Sequence, residues 1–286
     1  MTAPSTAEDL FAFLRLRRVR TDVMRMFLCA ALCGGMALSV ADATAQAVED
    51  GDVHGVIALG VGAVPEFDGA GDLSAIPFVF GEAVWRDINF EFRGLGGRVD
   101  LARDSRLSIG PAIGGRLSRD DAGGRIGRLP DIDAAIEAGG YVGYRFGGAV
   151  SGQGSLYTEI SLMSDVSGVH DGALATASIR YAALRSRDFS LALDAQATWA
   201  SSDYTRTYFG IDTAGAEASG LQPYDPGSGL RDVGLGVTGG YWLTDRVGLI
   251  GRIGAAYLMG DVADSPIVEE GERWQPVSGV ALSYRF

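Results

Sequence analysis

The feature that most constrains this chain is a two-residue alternation that runs through most of it in unusually long segments. In Leu107-Ser108-Ile109-Gly110-Pro111-Ala112-Ile113 and in Phe189-Ser190-Leu191-Ala192-Leu193-Asp194-Ala195-Gln196-Ala197, large apolar residues alternate with small or polar ones. Successive side chains of a strand point to opposite faces, so this pattern predicts strands with one apolar face. Clusters of Gly, Asp, Arg and Pro divide the chain into twelve such segments, at about 53–63, 72–80, 84–93, 95–102, 106–117, 133–146, 153–165, 172–184, 188–200, 230–242, 246–259 and 273–286. Strands of globular proteins peak near 5–6 residues, whereas a tilted strand crossing a bilayer needs about 9–11. The length of these segments therefore points to a membrane. No run after residue 47 is long and apolar enough for a transmembrane helix, and none shows a convincing helical period.

The connections alternate in character as well. If the first strand leaves the periplasm, short turns fall at 81–83, 103–105, 147–152, 185–187 and 243–245, and these are expected on the periplasmic side. The connections at 64–71, 117–132, 165–171, 201–229 and 260–272 are mostly longer and richer in Asp, Gly and Pro, as extracellular loops are. The tight connection at Gly94 reads either as a turn or as a bulge within one longer strand.

The N-terminus reads as a targeting segment rather than fold. Arg15, Arg17, Arg18, Arg20 and Arg25 precede an apolar run at 26–40, and Ala43-Thr44-Ala45-Gln46-Ala47 supplies small residues for cleavage after Ala45 or Ala47. Met24 and Met26 are alternative starts to Met1. The expected organisation is a leader and signal peptide over 1–47 and a single barrel domain over 48–286. Cys29 and Cys33 both lie in the leader, so the exported chain needs no disulfide and has no cysteine chemistry. A formal net charge of −12, with arginine as the only strong base and no lysine, argues against nucleic acid as a partner.

The ending Val280-Ala281-Leu282-Ser283-Tyr284-Arg285-Phe286 is apolar or aromatic at every second position. It resembles the C-terminal signal by which outer-membrane proteins are assembled. Trp85, Phe90, Phe92, Tyr141, Tyr144, Phe146, Tyr181, Trp199, Tyr241, Trp242 and Tyr284 fall mostly toward strand ends, where interfacial girdles need aromatics. In hydrocarbon every backbone N–H and C=O must be paired within the protein, and strands manage that only by closing into a barrel. The fold expected is an all-β, transmembrane, antiparallel up-and-down barrel of about twelve strands in the outer membrane. Glycine, at 42 of 286 residues, is about twice its usual share of roughly 7%. Gly139, Gly140, Gly143, Gly234, Gly236 and Gly254 are expected to leave room inside the wall for arginines and their carboxylate partners.

Motifs with chemical meaning are sparse. Gly234-Leu235-Gly236-Val237-Thr238-Gly239 matches the dinucleotide pattern, but it sits inside an alternating strand with no helix to follow. With His54 and His170 as the only histidines, no multi-histidine metal site exists, and no calcium-loop spacing occurs. The segment Ser164-Asp165-Val166-Ser167-Gly168-Val169-His170-Asp171-Gly172 brings Ser, His and Asp types together, the components of a barrel lipid hydrolase. The plainer reading is a bend whose Asp and Ser bond their own backbone. Asp203, Tyr204, Tyr208, Asp212, Tyr224 and Asp225 in the long loop, with Asp261 and Asp264 in the next, read as solvated turn chemistry. No catalytic, cofactor-binding or metal residue is assigned, no cofactor is expected, and the protein is expected not to be an enzyme.

Several of these segments resemble the MltA-interacting protein/OmpV family of outer-membrane proteins. They are Gly60-Val61-Gly62 with Pro65-Glu66-Phe67-Asp68-Gly69, Ile109-Gly110-Pro111, Leu129-Pro130-Asp131-Ile132-Asp133, and the bend at 165–172. They continue with Trp199-Ala200-Ser201-Ser202-Asp203-Tyr204, Tyr208-Phe209-Gly210, Tyr224-Asp225-Pro226-Gly227-Ser228-Gly229-Leu230-Arg231-Asp232-Val233, and Gly260-Asp261-Val262-Ala263-Asp264-Ser265-Pro266-Ile267-Val268. At the bend this chain has Val169 and Asp171 where the family more often has glycine. The resemblance implies a barrel that scaffolds a lytic murein transglycosylase and a murein polymerase, in contact with outer-membrane lipids and lipopolysaccharide. The alternatives it leaves are a narrow pore or an adhesin, and more remotely a lipid-modifying enzyme using Ser167 and His170.

Overall fold

The computed structural model describes residues 53–102, 106–120 and 122–286. The expected leader, its cleavage site, both cysteines and the turn at 103–105 lie outside the described residues. Twelve antiparallel strands form one closed barrel: β1 (His54–Pro65), β2 (Leu73–Trp85), β3 (Ile88–Arg93), β4 (Gly96–Asp100), β5 (Leu107–Arg116), β6 (Ala135–Phe146), β7 (Leu156–Asp165), β8 (Ala173–Arg185), β9 (Phe189–Ala200), β10 (Gly229–Trp242), β11 (Val247–Leu258) and β12 (Trp274–Arg285). Each pairs with its sequence neighbours, and β1 with β12 closes the wall. The seam is finished by reciprocal bonds of 3.1 Å between Gly55 and Phe286. The seam needs glycine: a Cβ at Gly60 would lie 1.9 Å from the Val280 carbonyl oxygen.

The ladder register sorts the side chains. Ile57, Leu59 and Val61 on β1, Ile160 and Leu162 on β7, Leu235 on β10, Ile253 on β11 and Val280 and Leu282 on β12 all face outward and are exposed. Among the twelve strands no outward position carries a charge, as a lipid-facing belt requires, since a charged side chain there is destabilising by about 2–4 kcal/mol at the midplane. Trp85, Phe92, Tyr144, Phe146, Tyr181, Trp199, Tyr241 and Tyr284 are exposed aromatics of this outer surface. Tyr141 and Trp242 depart from the expected girdle. Tyr141 is buried in the lumen, and Trp242 lies inside with Arg285 stacked at 4.1 Å.

One local expectation is corrected, and two details left open by the sequence are filled in. β2 runs past 81–83 to Trp85, and the turn is Arg86-Asp87, both at positive φ (50° and 66°). Gly81 imitated a turn signal, while the mirror-image hairpin that matches strand twist uses two non-glycine residues. The Gly94 connection is a true turn, with Gly94 at φ 58°, between two short strands. The long outer loops are not extended: they contain α1 (Ser202–Phe209), α2 (Thr213–Ser219), α3 (Gly260–Ala263) and α4 (Pro266–Glu270), besides a 3-10 turn at Ile126–Arg128. Helices of one or two turns are too short for a 3.6-residue period to show. No helix among the described residues is long and apolar enough to cross a membrane.

Candidate functional site

The lumen and its outer mouth hold the polar chemistry. The four helices fold over the mouth as a plug with its own apolar core, in which Tyr204, Phe209 and Ile267 are fully buried. Asp212 starts α2 by accepting from the Gly215 N–H at 2.7 Å, and Ser265 starts α4 by accepting from Ile267 N–H at 3.2 Å. Ser265 also donates to the Phe209 carbonyl at 2.7 Å, tying α4 to α1.

Beneath the plug, Asp68 from the first outer loop is the hub. Its Oδ2 accepts from the Tyr204 hydroxyl at 2.5 Å and faces Arg116 of β5 and Arg231 of β10 at 3.4 and 3.5 Å. Arg231 also donates to the Tyr204 oxygen at 2.8 Å and pairs with Asp232, which has no exposed surface. Arg116 continues to Glu137 on β6 at 2.9 Å, and its guanidinium lies 4.8 Å from the centre of the Tyr204 ring. Burial pushes the Tyr204 phenol well above its ordinary range, against the pull of Arg116, so its hydroxyl keeps the proton it donates to Asp68. The plug is thus joined to two strands, β5 and β10, through one carboxylate.

A second network crosses the middle of the lumen. Arg98 of β4 pairs with Glu91 of β3 at 2.9 Å and with Glu159 of β7 at 2.5 Å, while Arg93 also reaches Glu91. The Tyr157 hydroxyl donates to Glu159 at 3.0 Å, and Tyr141 lies under the Arg98 guanidinium. On the far wall Arg252 of β11 forks onto Asp194 of β9 at 2.6 and 2.9 Å. Gly236, on β10 between them, provides the expected room: a Cβ there would meet Arg252 at 2.5 Å and Asp194 at 2.6 Å. Gly143 makes space for Tyr157, and Gly234 for Gln196. Gly139 and Gly254 are instead pressed against neighbouring backbone, and Gly140 faces outward, so none of these three clears space for an ion pair. Between the networks lies a cavity of about 40 Å³ bordered by Asp68, Asp194, Arg231 and Arg252. It has room for a few waters, given that one needs about 10–15 Å³.

The structure does not assemble Ser167 and His170 into a nucleophile and base. Ser167 is exposed, donates to Asp165 at 2.6 Å and accepts from the Ile136 N–H at 3.0 Å. His170 has a fully buried side chain: Nδ1 accepts from the Gly172 N–H at 3.1 Å, which leaves the proton on Nε2, 3.3 Å from Glu137. Asp165 gathers the backbone N–H groups of Ser167, His170 and Asp171, and Asp171 takes φ 48° where glycine would be unstrained. The bend is therefore held by local bonds and carries His170 into the lumenal network. Gly234–Gly239 lies within β10, with no helix after it. Of the loop residues, Tyr204 and Tyr208 are plug core, and Asp203 is exposed on α1. Asp225 pairs with Arg206 at 2.7 Å, Asp264 with Arg273 at 3.2 Å, Tyr224 donates to the Asp261 carbonyl at 2.7 Å, and Asp261 accepts from Gly227. Among the described residues no group of three or more potential ligands could hold a metal ion.

The residues that sequence reading left unassigned are Asp68, Glu91, Arg98, Arg116, Glu137, Asp194, Arg231, Asp232 and Arg252. For those on regular strand positions the available signal was charge opposite in parity to the large apolar residues; Asp68 lies in a loop and Arg231 at the bulge between Leu230 and Asp232, where parity gives no signal.

No curated protein sequence matches the chain. Solved structures that resemble it include an outer membrane channel from Pseudomonas putida F1, with 12% identity over 86% of this chain and 100% of that one and a TM-score of 0.38. A Pseudomonas aeruginosa FadL homologue is similar at 9% identity over 81% and 89%, TM-score 0.32. OmpT, an outer membrane protein of Vibrio cholerae, is similar at 7% identity over 82% and 97%, TM-score 0.33. Likeness at this level carries no argument about what the chain does. The model of the MltA-interacting protein MipA family matches residues 57–286, all twelve strands save the first three residues of β1, and the chain belongs to that family.

Proposed function

We propose that the protein is a non-catalytic, non-conducting barrel of the outer membrane that serves as a docking scaffold for peptidoglycan-remodelling enzymes, a lytic murein transglycosylase foremost. The observation that carries the reading is a lumen spent on structure: the arginines and carboxylates of its two networks are paired with one another, and the outer mouth is covered by helices that the Asp68 hub holds in place. Membership of a family described by interaction with MltA supports the choice of partner. A partner on the periplasmic side meets short turns, such as Arg86-Asp87 and residues 186–188, so it grips the rim of the barrel rather than a projecting loop.

The test is crosslinking of the full chain in intact envelopes of a Gram-negative host, followed by identification of what co-purifies. Recovery of a murein transglycosylase or polymerase is the expected result. Recovery of lipopolysaccharide and assembly factors alone, together with steady single-channel conductance of the purified barrel in planar bilayers, would replace the scaffold with a narrow pore.

A further inference from the structure

Charge does not balance around the cavity beneath the plug. Its border holds three carboxylates, Asp68, Asp194 and Asp232, against two guanidiniums, Arg231 and Arg252. Arg252 is spent on Asp194, forking onto both of its oxygens. Arg231 is left between Asp68 and Asp232. Arg116 also faces Asp68, at 3.4 Å, but lies closer to Glu137, at 2.9 Å, so that pair adds no positive surplus. Arg119 bonds the Tyr208 carbonyl at 3.0 Å and Arg180 stands opposite Asp194 in the β8–β9 ladder; neither borders the cavity. The border therefore carries one negative charge in excess.

The oxygens around it are underused. Arg231 donates to Oδ2 of Asp232, whereas Oδ1 has no hydrogen-bond partner although the residue has no exposed surface. Buried polar groups are paired with few exceptions, and leaving a charged one unpaired costs more than leaving a neutral one. Tyr204, Arg116 and Arg231 all meet Asp68 at Oδ2, so its Oδ1 takes none of these bonds. Gln196 of β9 lies across from Gly234 in the ladder, and its amide makes no hydrogen bond among the described residues. A Cβ at Gly234 would meet the Gln196 side chain at 3.2 Å, so glycine is what lets that amide lie along the wall. Three side chains with oxygens to offer, from the first outer loop, β9 and β10, thus border one cavity of about 40 Å³.

Water alone would give Asp232 a donor but leave the excess charge buried, and an uncompensated buried charge is strongly destabilising. No three His, Cys, Asp or Glu side chains converge as a divalent metal needs, and its second charge would overshoot the balance. We infer that the cavity binds one small monovalent cation, an alkali ion or ammonium, held by Asp232 Oδ1, Asp68 Oδ1 and the Gln196 side-chain oxygen. Hard cations take oxygen ligands, and the volume leaves room for water to complete the shell. Asp68 belongs to the hub that holds the plug and Asp232 to the wall, so the ion fastens one to the other. The site does not depend on the scaffold reading.

The test follows plug opening in the purified full chain, through maleimide labelling of a cysteine placed at Ala263, 3% exposed in α3. A cation bound only to the closed plug lowers the open fraction by the factor 1 + [cation]/Kd. Labelling should slow several-fold, and saturate, as sodium, potassium or ammonium chloride replaces choline chloride at constant ionic strength, which holds screening fixed. Asp232→Asn removes the excess charge and should abolish the dependence. Equal rates in choline and in all three small cations overturn the site, and so does a dependence that survives Asp232→Asn. Should that variant fail to fold, Gln196→Met, which removes an uncharged ligand, decides: a higher half-saturating concentration supports the site, and an unchanged one refutes it.

Discussion

Replacing Asp68 with alanine should release the plug while leaving the barrel closed. Asp68 accepts from Tyr204 and faces Arg116 and Arg231, and its own residue is 8% exposed. Removing one partner of a buried ion pair is destabilising by about 3–5 kcal/mol. Here each arginine keeps a second carboxylate, Glu137 for Arg116 and Asp232 for Arg231, so the lower end applies. With the stranded Tyr204 hydroxyl included, about 3 kcal/mol of plug stability should go, which is on the order of a hundredfold in the opening equilibrium. The readout is labelling of a cysteine placed at Ala263, 3% exposed in α3, by a water-soluble maleimide. Labelling should accelerate by about that factor in Asp68→Ala, less in Asp68→Asn, with heat-modifiable migration unchanged in both. An unchanged labelling rate, or a barrel that unfolds along with the plug, refutes the hub.

Gly60→Ala should impair closure of the β1–β12 seam, since its Cβ would lie 1.9 Å from the Val280 oxygen; the folded fraction on unheated gels reads it, and wild-type yield contradicts it. Arg98→Lys keeps the charge but loses the fork that spans Glu91 and Glu159, and should lower stability by about 2–4 kcal/mol in urea titrations; an unshifted midpoint contradicts it. Burial raises the phenols of Tyr204 and Tyr208, so the folded plug binds their protons more tightly than the unfolded chain does. The resulting stability is intact below the unfolded value of about 10 and is lost as pH rises beyond it, so plug labelling should accelerate above that pH, less steeply in Tyr204→Phe. Ser167→Ala should lose its bond to the Ile136 N–H, about 1 kcal/mol, and neither it nor His170→Ala should alter phospholipid turnover by the purified barrel; hydrolysis by the parent that either variant abolishes would restore the enzyme reading.

What the sequence made legible follows from the range of the physics involved. Alternation in β5 and β9 is a property of the local backbone, so twelve strands and their outward faces could be read from residues two apart. The Arg86-Asp87 turn was hidden because Gly81, the residue that most readily takes positive φ, stands nearby and continues β2, while the positive φ angles fall on the arginine and aspartate after it. α1 was hidden because its packing depends on distant partners: Tyr204 meets Asp68, 136 positions away. Parity alone could have placed Glu91, Arg98, Asp194 and Arg252 inside. It could not have said that Arg98 meets Glu159, because that pairing depends on how the wall closes, a property of the whole ring.

The use of arginine as the only strong base acquires a structural reason in the lumen. A guanidinium has five donors in a fixed plane and can serve two carboxylates at once, whereas an ammonium is a compact point charge. Arg98 joins Glu91 to Glu159, Arg116 joins Glu137 to Asp68, and Arg231 joins Asp232 to Asp68, so each acts as a strut between separate elements. The proposed scaffold reading rests on that commitment of the charges to one another. The same commitment fills the space that lumenal glycines such as Gly236 leave, and on the proposed reading the rims are the surfaces through which this barrel acts.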